Sequence, residues 1–430
     1  MKENSLVNKI VSKIKTGLKG EVTIPPDKSI SHRAIMFSSL AKGRSVINNF
    51  LKGADCLSTM GLFKSLGVEI NYLSDSILEV ISNGVLTKPK TDLDCGNSGT
   101  TMRLCSGILA GQNFNSVLYG DESLSKRPMK RVIAPLELMG AKIKSNDFRS
   151  PLKIVGTELH GITYNSPIAS AQVKSCVLLA GLNALGKTTV IEPYMSRNHS
   201  ELMLKYMGAN ILTEGTTTTV LKSELQPKEI TVAGDISSAA YFIVAALIIP
   251  DSHIILKNVG LNPTRTGIVD VVKRMGGQIE NLDKRIVSGE DVGDIRIKYS
   301  NLKGCNISGA DIPKLIDELP IIALMATQAE GKTIISDAED LRKKESDRIT
   351  TITNGLKALG ADIEEKPDGF IIQGKTSFKG GVELETYHDH RLAMTYYIAG
   401  LVSEKDIMIN GFEWVSVSYP NFESDFEGIK

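Results

Sequence analysis

Apolar positions along the chain follow two spacings, one typical of helices and the other of short strands. Between Asp55 and Leu66 apolar side chains recur every third or fourth residue, and Gly67 follows as a left-handed helix stop. Short Val- and Ile-rich runs bounded by Gly, Asn and Pro predict strands. The first stretch is therefore predicted as helix, strand, helix and two strands, at 31–41, 45–50, 55–66, and near Val68 and Ile77.

This pattern repeats along the chain. A helix end, a glycine and a short β-prone run recur five times, with the glycines at 67, 140, 208, 276 and 360, which are 73, 68, 68 and 84 residues apart. A second phrase interleaves with the first, as GRSVI from Gly43, GKTTVI from Gly186 and GKTII from Gly331. A regular period of this kind indicates one supersecondary unit used several times. The later repeats begin near Ser98, Ile168, Asp235, Pro313 and Tyr387, which makes six.

The sixth repeat is incomplete, since the chain ends at Lys430 without closing strands. The first 25 residues contain a β-prone run, GEVTI at 20–24, that has no repeat of its own. We therefore expect the chain start to supply what the last repeat lacks. The predicted domains are residues 27–230, and residues 1–26 plus 231–430. Their two crossovers, at Pro25-Pro26 and near 231–234, suit a hinge with a cleft that closes on ligand; the alternative is an unstructured N-terminal tail.

Composition narrows the class of protein. A chain of 430 residues is too long for one ordinary core, and 42% hydrophobic with 23% charged residues is typical of a soluble globular protein. The net charge of +1 gives no reason to expect nucleic acid or a membrane as partner. The longest apolar run, 239–250, has the length of a buried helix, and the N-terminus lacks a secretory apolar region. Five cysteines without a CxxC pair favour reduced thiols in a cytoplasmic protein.

One motif matches a nucleotide-binding pattern in an order of elements that does not fit it. Residues 181–188, GLNALGKT, match the phosphate-binding P-loop pattern GxxxxGK[ST]. A P-loop needs a strand before it and a helix after it, so that backbone N–H groups face the phosphates. Here a helix predicted at 173–184 precedes and a strand at 188–191 follows. The same GK phrase recurs at Gly331 as a plain turn, so we do not expect nucleotide binding here.

Cationic residues cluster at predicted helix starts, where the helix dipole disfavours them unless an anion binds. Three such clusters lie in the first predicted domain: DKSISHRA with Lys28, Ser29 and Arg33; SKRPMKR with Lys126, Arg127, Lys130 and Arg131; and SAQVKS followed by SRNHSE, with Ser170, Gln172, Lys174 and Arg197. A fourth segment, CGNSGTTMR with Asn97 and Gly99, places glycines and hydroxyls before a helix, which suits binding of phosphate or carboxylate by backbone N–H groups. Three of these segments have plainer alternatives: a surface turn capped by Asp27 or Ser29 for DKSISHRA, a solvated basic face of Lys130 and Arg131 for SKRPMKR, and an ordinary Gly-Asn-Ser-Gly loop for CGNSGTTMR.

Three further clusters lie in the second predicted domain. DELP at 317–320 places Asp317 and a second carboxylate beside an apolar run, where they are candidate proton-transfer groups. RKKESDRI at 342–349 brings Lys344, Glu345 and Arg348 together, with Lys344 and Arg348 predicted on one helix face, although a salt-bridged surface helix would look similar. HDHRLAM at 388–394 suggests a metal site, but no third ligand stands at suitable spacing, so Asp389 as an orienting group and Arg391 as an anion ligand fit better.

Both predicted domains thus aim cations at one cleft while the net charge stays near zero. About six cationic groups suit two small polyanionic ligands. No cofactor or metal is expected from this pattern.

Taken together, the motifs resemble the 5-enolpyruvylshikimate-3-phosphate (EPSP) synthase family from end to end. DKSISHRA, GNSGTTMR, the KRP of SKRPMKR, SAQVKS, KESDR and DHRLAM stand in the family's order and spacing. The resemblance implies an α/β (α+β) fold of two domains, each of three βαβαββ units arranged as an inside-out α/β barrel, with a double crossover. It also implies a cytoplasmic, monomeric enzyme of the shikimate pathway that transfers the enolpyruvyl group of phosphoenolpyruvate to shikimate-3-phosphate, and a target of glyphosate.

The resemblance also implies roles for individual residues. For shikimate-3-phosphate the implied contacts are Lys28, Ser29, Arg33, Ser170, Gln172, Lys174, Arg197, Asp317 and Lys344. For phosphoenolpyruvate they are Lys28, Asn97, Gly99, Arg127, Gln172, Arg348 and Arg391. The implied catalytic residues are Asp317 as the base on the acceptor hydroxyl, and Glu345, helped by Lys28, as the acid on the methylene carbon.

Two positions depart from the family pattern. Many members have Lys where this chain has Ser418, and some have a second serine where it has Ala171. Gly99 leaves room where some glyphosate-tolerant members have Ala, which predicts that this chain binds glyphosate. Two other functions remain open on the sequence: the sister enolpyruvyl transferase acting on UDP-N-acetylglucosamine, which carries a reactive loop cysteine, and a non-catalytic protein that binds a phosphorylated metabolite.

Overall fold

The computed structural model describes residues 7–430. Its helices are α1 (Lys28–Leu40), α2 (Ala54–Ser65), α3 (Gly99–Ala110), α4 (Glu122–Lys126), α5 (Lys130–Leu138), α6 (Ala171–Gly181), α7 (His199–Tyr206), α8 (Ile236–Ile248), α9 (Gly267–Arg274), α10 (Ile312–Leu315), α11 (Leu319–Thr327), α12 (Arg348–Ala358), α13 (His390–Val402) and α14 (Phe422–Glu427). Short 3₁₀ turns lie at Gly309–Asp311, Glu339–Lys343 and Phe412–Val417.

The strands between the helices are short. They are β1 (Lys9–Val11), β2 (Lys19–Thr23), β3 (Lys42–Asn48), β4 (Glu69–Tyr72), β5 (Leu78–Asn83), β6 (Leu93–Asp94), β7 (Ser116–Tyr119), β8 (Lys142–Asn146), β9 (Arg149–Val155), β10 (Thr163–Asn165), β11 (Lys187–Ile191), β12 (Ile211–Glu214), β13 (Thr217–Leu221), β14 (Glu229–Thr231), β15 (His253–Gly260), β16 (Gln278–Val287), β17 (Glu290–Lys298), β18 (Asn306–Ile307), β19 (Gly331–Ile335), β20 (Asp362–Lys366), β21 (Gly369–Gly374), β22 (Glu383–Glu385) and β23 (Ile407–Asn410).

The glycines of the first repeated phrase end helices as the sequence predicted. Gly67, Gly140, Gly208, Gly276 and Gly360 have φ of +87°, +96°, +88°, +82° and +101°. This left-handed backbone costs an L-residue with a Cβ about 1–2 kcal/mol, so glycine is the residue that fits. The repeat in the sequence is therefore a repeat of helix stops.

The strands form six small sheets, one for each repeat, over residues 7–430. In chain order of the repeats they are β14-β3-β5-β4, β6-β7-β9-β8, β10-β11-β13-β12, β2-β15-β17-β16, β18-β19-β21-β20 and β22-β23-β1. In each sheet the first two strands named are parallel, as β10 and β11 are with the buried helix α6 between them. This is the βαβαββ unit that the resemblance implied.

The chain start completes two sheets. β1 pairs antiparallel with β23 and closes the sixth sheet, whereas β2, which holds most of the GEVTI run, pairs in parallel with β15 of the fourth repeat. The expectation that the chain start supplies the last repeat is met by Lys9–Val11, a strand that the sequence did not indicate. Residues 9–11 and 19–23 are therefore parts of sheets, which excludes the unstructured tail for them.

The chain divides into two compact units. The first unit comprises Pro26–Ala233 and the segment Ile286–Glu290. The second comprises the described chain up to Pro25, together with Gly234–Arg285 and Asp291–Lys430. The segment 286–290 is the tip of the β16–β17 hairpin, so the strands of this hairpin and its tip fall in different units.

Within each unit, the core is built from the first helix of each repeat. In the first unit α1, α3 and α6 are buried along nearly their whole length, and in the second α8, α11 and α13 are. A Cβ on Gly107 of α3 would lie 2.1 Å from the carbonyl oxygen of Cys176 in α6, so these two helices pack backbone to backbone. Because the central helices have no solvated side, we expect functional polar side chains mainly at their ends.

The P-loop-like segment has the order that excludes a P-loop. α6 precedes it and β11 follows, with Gly186 between them at φ +85°. The run 239–250 lies in α8 and the turn after it, and the whole of that helix up to Leu247 is buried. No helix in residues 7–430 is long and apolar enough to cross a membrane.

Candidate functional site

The first turn of α1 carries one cation, Lys28. Asp27 caps the helix by accepting from the Ile30 N–H at 2.8 Å. Lys28 is half-buried, and its ammonium lies 3.1 Å from Asp55 Oδ2 on α2. Because an ion pair with Asp55 already fixes Lys28, its charge is held at the first turn of α1 before any ligand binds.

Arg33 is buried one turn further along α1. It donates from Nε to Ser200 Oγ at 2.8 Å, from Nη2 to Ser175 Oγ at 3.0 Å and from Nη1 to the Ser29 carbonyl at 3.0 Å. No carboxylate of the described chain lies within ion-pair distance of this guanidinium. Burial lowers the pKa of Arg33 to about 10, against the opposing effects of Glu201, Asp27 and Glu290 at longer range. A buried cation with neutral partners alone is stabilised when an anion binds.

A buried hydroxyl chain lies behind Lys28. His32 Nδ1 is 2.7 Å from Thr59 Oγ1, which is 2.6 Å from Thr101 Oγ1, and Thr101 in turn donates to Ser98 Oγ at 2.7 Å. Burial lowers the pKa of His32 to about 3, with smaller contributions from Asp55, Lys28 and Arg33, so its imidazole is neutral near pH 7. This chain joins α1, α2 and α3, and it fixes their N-terminal halves relative to one another.

The start of α3 brings Arg127 and Arg103 together. Ser98 caps the helix, accepting from the Thr101 N–H at 3.1 Å. Arg127 Nη2 donates to Asn97 Oδ1 at 2.6 Å, and Arg103 Nη1 donates to Gln172 Oε1 at 2.8 Å. Gly99 lies beside both arginines, since a Cβ there would be 2.7 Å from Arg103 Nη1 and 3.6 Å from Arg127 Nη1. A side chain at position 99 would therefore displace a guanidinium.

The start of α6 rests on a buried carboxylate. Glu192, directly after β11, accepts from the Ser170 N–H at 3.1 Å and from Ser196 Oγ at 2.6 Å. The Lys174 ammonium lies 2.7 Å from Glu192 and 2.8 Å from Glu201, and all three side chains are buried. Arg197 is half-buried, and its charge contributes to the lowered pKa of Arg33. These contacts bring Ser170, Lys174, Arg197 and Arg33 into one region of the first unit.

In the second unit, a buried arginine collects three carboxylates. Arg348 opens α12 and has no exposed surface. Its Nε donates to Asp389 at 2.7 Å, its Nη2 to Glu345 at 2.6 Å, and its Nη1 to Asp317 at 3.4 Å. Burial alone would lower the pKa of Arg348, but Asp389 and Glu345 outweigh it and raise the pKa, so the guanidinium stays charged.

Asp317 also binds Lys344, whose ammonium lies 3.1 Å from Asp317 Oδ1. The prediction that Lys344 and Arg348 share a helix face is wrong. Lys344 ends the 3₁₀ turn Glu339–Lys343 with extended backbone, and α12 begins at Arg348 with Asp347 as its cap. The two cations meet because both reach Asp317, which lies just before α11, and not because of helical spacing.

A second ion network lies next to this cluster. Arg391, on α13, is buried, and although burial lowers its pKa, Asp317, Tyr241, Glu318 and Asp235 raise it. Glu318 accepts a hydrogen bond from Ser237, and Arg265 donates to Ser237 Oγ at 2.8 Å and to Asp235 at 3.1 Å. The starts of α8, α11 and α13 are thus linked by charge, whereas hydrogen bonds to hydroxyl and amide groups link α1, α3 and α6 in the first unit.

The comparisons with known proteins decide the family. A sequence profile described as EPSP synthase (3-phosphoshikimate 1-carboxyvinyltransferase) matches residues 12–426. The chain belongs to the EPSP synthase family.

Relatives and solved structures of the EPSP synthase family cover nearly the whole chain. A 3-phosphoshikimate 1-carboxyvinyltransferase of Thermoanaerobacter sp. is 52% identical over 418 residues, covering 96% of this chain and 98% of the relative. One of Thermodesulfovibrio yellowstonii is 52% identical over 431 residues, covering 99% and 100%. The solved EPSP synthase of Acinetobacter baumannii matches with a TM-score of 0.89 and 42% identity, covering 99% of this chain and 98% of that one. Family membership decides against the sister transferase that the sequence left open.

The remaining predicted residues lie apart from these contacts. Lys126 pairs with Glu122 on the surface of α4, and Lys130 lies over the Phe148 ring. His388 stacks on Trp414 with ring centroids 4.8 Å apart, and residues 7–430 contain no group of three or more His, Cys, Asp or Glu able to hold a metal. Ser418, which stands where many EPSP synthases have Lys, is buried after the 3₁₀ turn Phe412–Val417.

Several buried charges were not indicated by any motif of the EPSP synthase pattern. Glu192, Glu201, Arg265 and Glu290 are each buried and polar, and Glu290 at the hairpin tip lies 2.7 Å from His199 Nδ1. His199, the partner of Glu290, is 91 residues away in sequence. One signal was available for Glu201: an acidic residue in the first turn of α7, next to the arginine-containing SRN.

Proposed function

We propose that this chain transfers the enolpyruvyl group of phosphoenolpyruvate to the 5-hydroxyl of shikimate-3-phosphate and releases phosphate. The observation that carries the proposal is the placement of Asp317 and Glu345 on one buried guanidinium, that of Arg348. Two carboxylates fixed by a shared cation can move two different protons in one active site. Family membership supplies the identity of the substrates.

The acceptor binds through the helix starts of the first unit. The proposed contacts for shikimate-3-phosphate are Lys28, Ser29, Arg33, Ser170, Gln172 and Arg197, with Asp317 and Lys344 from the second unit. The resemblance adds Lys174, whose ammonium already lies against Glu192 and Glu201. Arg33 supports this role most directly, because its buried guanidinium donates to two serine hydroxyls and one carbonyl and pairs with no carboxylate of residues 7–430. An acceptor anion would supply the missing negative charge.

Phosphoenolpyruvate binds through arginines that the protein already holds in place. The proposed contacts are Lys28, Asn97, Gly99, Arg127, Gln172, Arg348 and Arg391. Asn97 orients Arg127, and Asp389 orients Arg348 through Nε. Guanidinium groups that are positioned before binding lose less side-chain entropy when they bind phosphate or carboxylate.

The chemistry proceeds by addition and then elimination. Asp317 removes the proton of the 5-hydroxyl while Glu345, helped by Lys28, protonates the methylene carbon of phosphoenolpyruvate, and the oxygen bonds to the central carbon. The resulting tetrahedral intermediate loses phosphate as Glu345 takes a proton back from the methyl group, which restores the double bond. Lys344, Arg348 and Arg391 stabilise the negative charge of Asp317, and the arginines stabilise the leaving phosphate.

This assignment gives the two units different tasks. The first unit, predicted as residues 27–230, is proposed to hold the shikimate-3-phosphate side. The second, predicted as residues 1–26 plus 231–430, is proposed to carry the acid, the base and two of the phosphoenolpyruvate arginines. The reaction needs no cofactor, and we propose that the enzyme acts as a cytoplasmic monomer.

The test measures phosphate release by Asp317→Asn and Glu345→Gln. We expect each substitution to lower kcat by about 10²–10⁴, with KM values changed far less. Asp406→Asn, on an exposed turn before β23, is the matched control and should keep full turnover. Full turnover by Asp317→Asn would show that the carboxylate is structural, and no turnover by the unmodified chain would favour a non-catalytic binding protein.

A further inference from the structure

The three charges Lys174, Glu192 and Glu201 are buried together in the first unit. Their exposed fractions are 2%, 4% and 5%. Buried charges are costly unless they are paired, and a set of this kind is retained where it fixes a geometry. We propose that this trio is a clasp that positions the acceptor site, and that Lys174 acts through Glu192 and Glu201 and not as a ligand of the acceptor.

The surroundings of the Lys174 ammonium carry the argument. An ammonium has three N–H donors. Three protein oxygens already lie around this one: Glu192 Oε2 at 2.7 Å, Glu201 Oε1 at 2.8 Å and the Ser196 carbonyl at 3.3 Å. The side chain is buried as well, so the ammonium presents almost no surface to a phosphate. The resemblance to the family implies that Lys174 is an acceptor contact, and the geometry of this chain disagrees.

Glu192 shows what the clasp holds. One carboxylate accepts from the Ser170 N–H at 3.1 Å, from Ser196 Oγ at 2.6 Å and from the Ser196 N–H at 3.4 Å. It thereby ties the residue that starts α6 to the segment that precedes Arg197. Ser170 and Arg197 are both proposed acceptor contacts, so the clasp sets the distance between them.

Glu201 extends the clasp to Arg33. Glu201 lies in the first turn of α7, next to Ser200, which accepts the hydrogen bond of Arg33 Nε. It is also the largest of the charges that raise the pKa of Arg33 against burial. Without Lys174, the two carboxylates would face each other uncompensated, and they would repel an incoming acceptor phosphate.

Charge compensation separates a clasp from a ligand. The clasp has a net charge of −1, from one cation and two carboxylates. Lys174→Met changes this to −2, and Lys174→Met with Glu201→Gln restores −1 without restoring an ammonium. A positioning role predicts that the double variant recovers, whereas a ligand role predicts that it does not.

The experiment rests on the proposed function for its ligand and has a second readout that does not. Calorimetry measures the Kd of shikimate-3-phosphate for the full-length chain, Lys174→Met, the double variant and Lys205→Met, a matched control on the exposed face of α7. Hydrogen exchange measures protection of the Ser170 and Ser196 amides. Removing one partner of a buried ion pair leaves an uncompensated charge at a large cost, so we expect Lys174→Met to raise the Kd by about tenfold or more and to lose amide protection.

We expect the double variant to return to within about threefold of the unmodified chain in Kd, and to regain protection at both amides. A double variant as weak as Lys174→Met would assign Lys174 as a ligand and overturn the proposal. If Lys174→Met does not fold, the double variant compared with the unmodified chain decides by the same criterion. If the unmodified chain does not bind shikimate-3-phosphate, the proposed function fails, and the amide protection alone supports or overturns the clasp.

Discussion

At the residue scale, the proposed site depends on side chains that are fixed before a ligand arrives. Arg348 binds three carboxylates, Arg127 is held by Asn97, and Lys28 is paired with Asp55. The motifs predicted Lys28 and Arg348 from their position at helix starts, and the structure confirms that position. For Arg127 the position was wrong, because it follows the last residue of α4. The motifs could not predict Glu290, because its partner His199 comes from another repeat and no local pattern marks such a pairing. Glu192 lies outside the motifs, although its partners Ser170, Lys174 and Ser196 belong to them.

Gly99 offers the sharpest single-residue prediction. In Gly99→Ala the new Cβ would meet Arg103 Nη1 at 2.7 Å, so that flexible guanidinium must move while the backbone stays in place. One methyl group in a tight site is worth on the order of tenfold in binding. We expect the KM for phosphoenolpyruvate to rise by about this factor, and to rise more than the KM for shikimate-3-phosphate.

Glyphosate inhibition of the unmodified chain and of Gly99→Ala gives a second test of the role of Gly99. The unmodified chain should bind glyphosate with an inhibition constant near its KM for phosphoenolpyruvate, and Gly99→Ala should weaken it. An inhibition constant far above that KM in the unmodified chain would contradict the role given to Gly99.

At the element scale, the helix stops were the most predictable part of the fold. Each depends on local geometry, a glycine after a helical run, and the left-handed φ of all five phrase glycines shows the expected conformation. The strands at the chain start were harder. β1 has three residues, KIV, and its pairing with β23 joins positions almost 400 residues apart, which no short-range pattern encodes.

Substitutions at two glycines distinguish the effect of backbone conformation on stability from the effect of side-chain packing. A Cβ on Gly360 or on Gly61 would meet no atom within 4 Å, but Gly360 has φ +101° and Gly61 lies inside α2. We expect Gly360→Ala to lower the free energy of unfolding by about 1–2 kcal/mol. Gly61→Ala, the matched control, should raise it by roughly 0.5–1 kcal/mol, because alanine favours helix. Equal effects in denaturant titrations would contradict this account of the repeat.

At the scale of the whole molecule, the chain start is built into the second unit. Lys9 forms an ion pair with Glu423, the Phe412 N–H donates to the Val7 carbonyl at 3.0 Å, and the Ile14 N–H donates to the Leu401 carbonyl at 3.0 Å. These contacts surround β1 on both sides in sequence. Residues 7–14 therefore belong to the fold of the sixth repeat, which the sequence showed as incomplete.

Substitutions at two adjacent residues of β1 test whether this strand contributes to the core of the sixth repeat. Val11 is 3% exposed and pairs with Ile407, whereas Ile10 is 62% exposed. Val11→Ala removes two buried methyl groups, and we expect it to destabilise the protein by about 2 kcal/mol. Ile10→Ala should change the free energy of unfolding by less than about 0.5 kcal/mol. A Val11→Ala variant as stable as Ile10→Ala would show that β1 adds nothing to the core.

Phosphate release from phosphoenolpyruvate, with shikimate-3-phosphate or UDP-N-acetylglucosamine as acceptor, tests the central claim most directly. The account predicts phosphate release when shikimate-3-phosphate is the acceptor. It predicts no release when UDP-N-acetylglucosamine is the acceptor or when no acceptor is added. Release with the nucleotide sugar alone would keep the chemistry but contradict the acceptor assignments at Arg33, Ser170 and Arg197. No phosphate release with either acceptor would contradict the proposal that the protein is an enzyme, and would favour a protein that only binds anions.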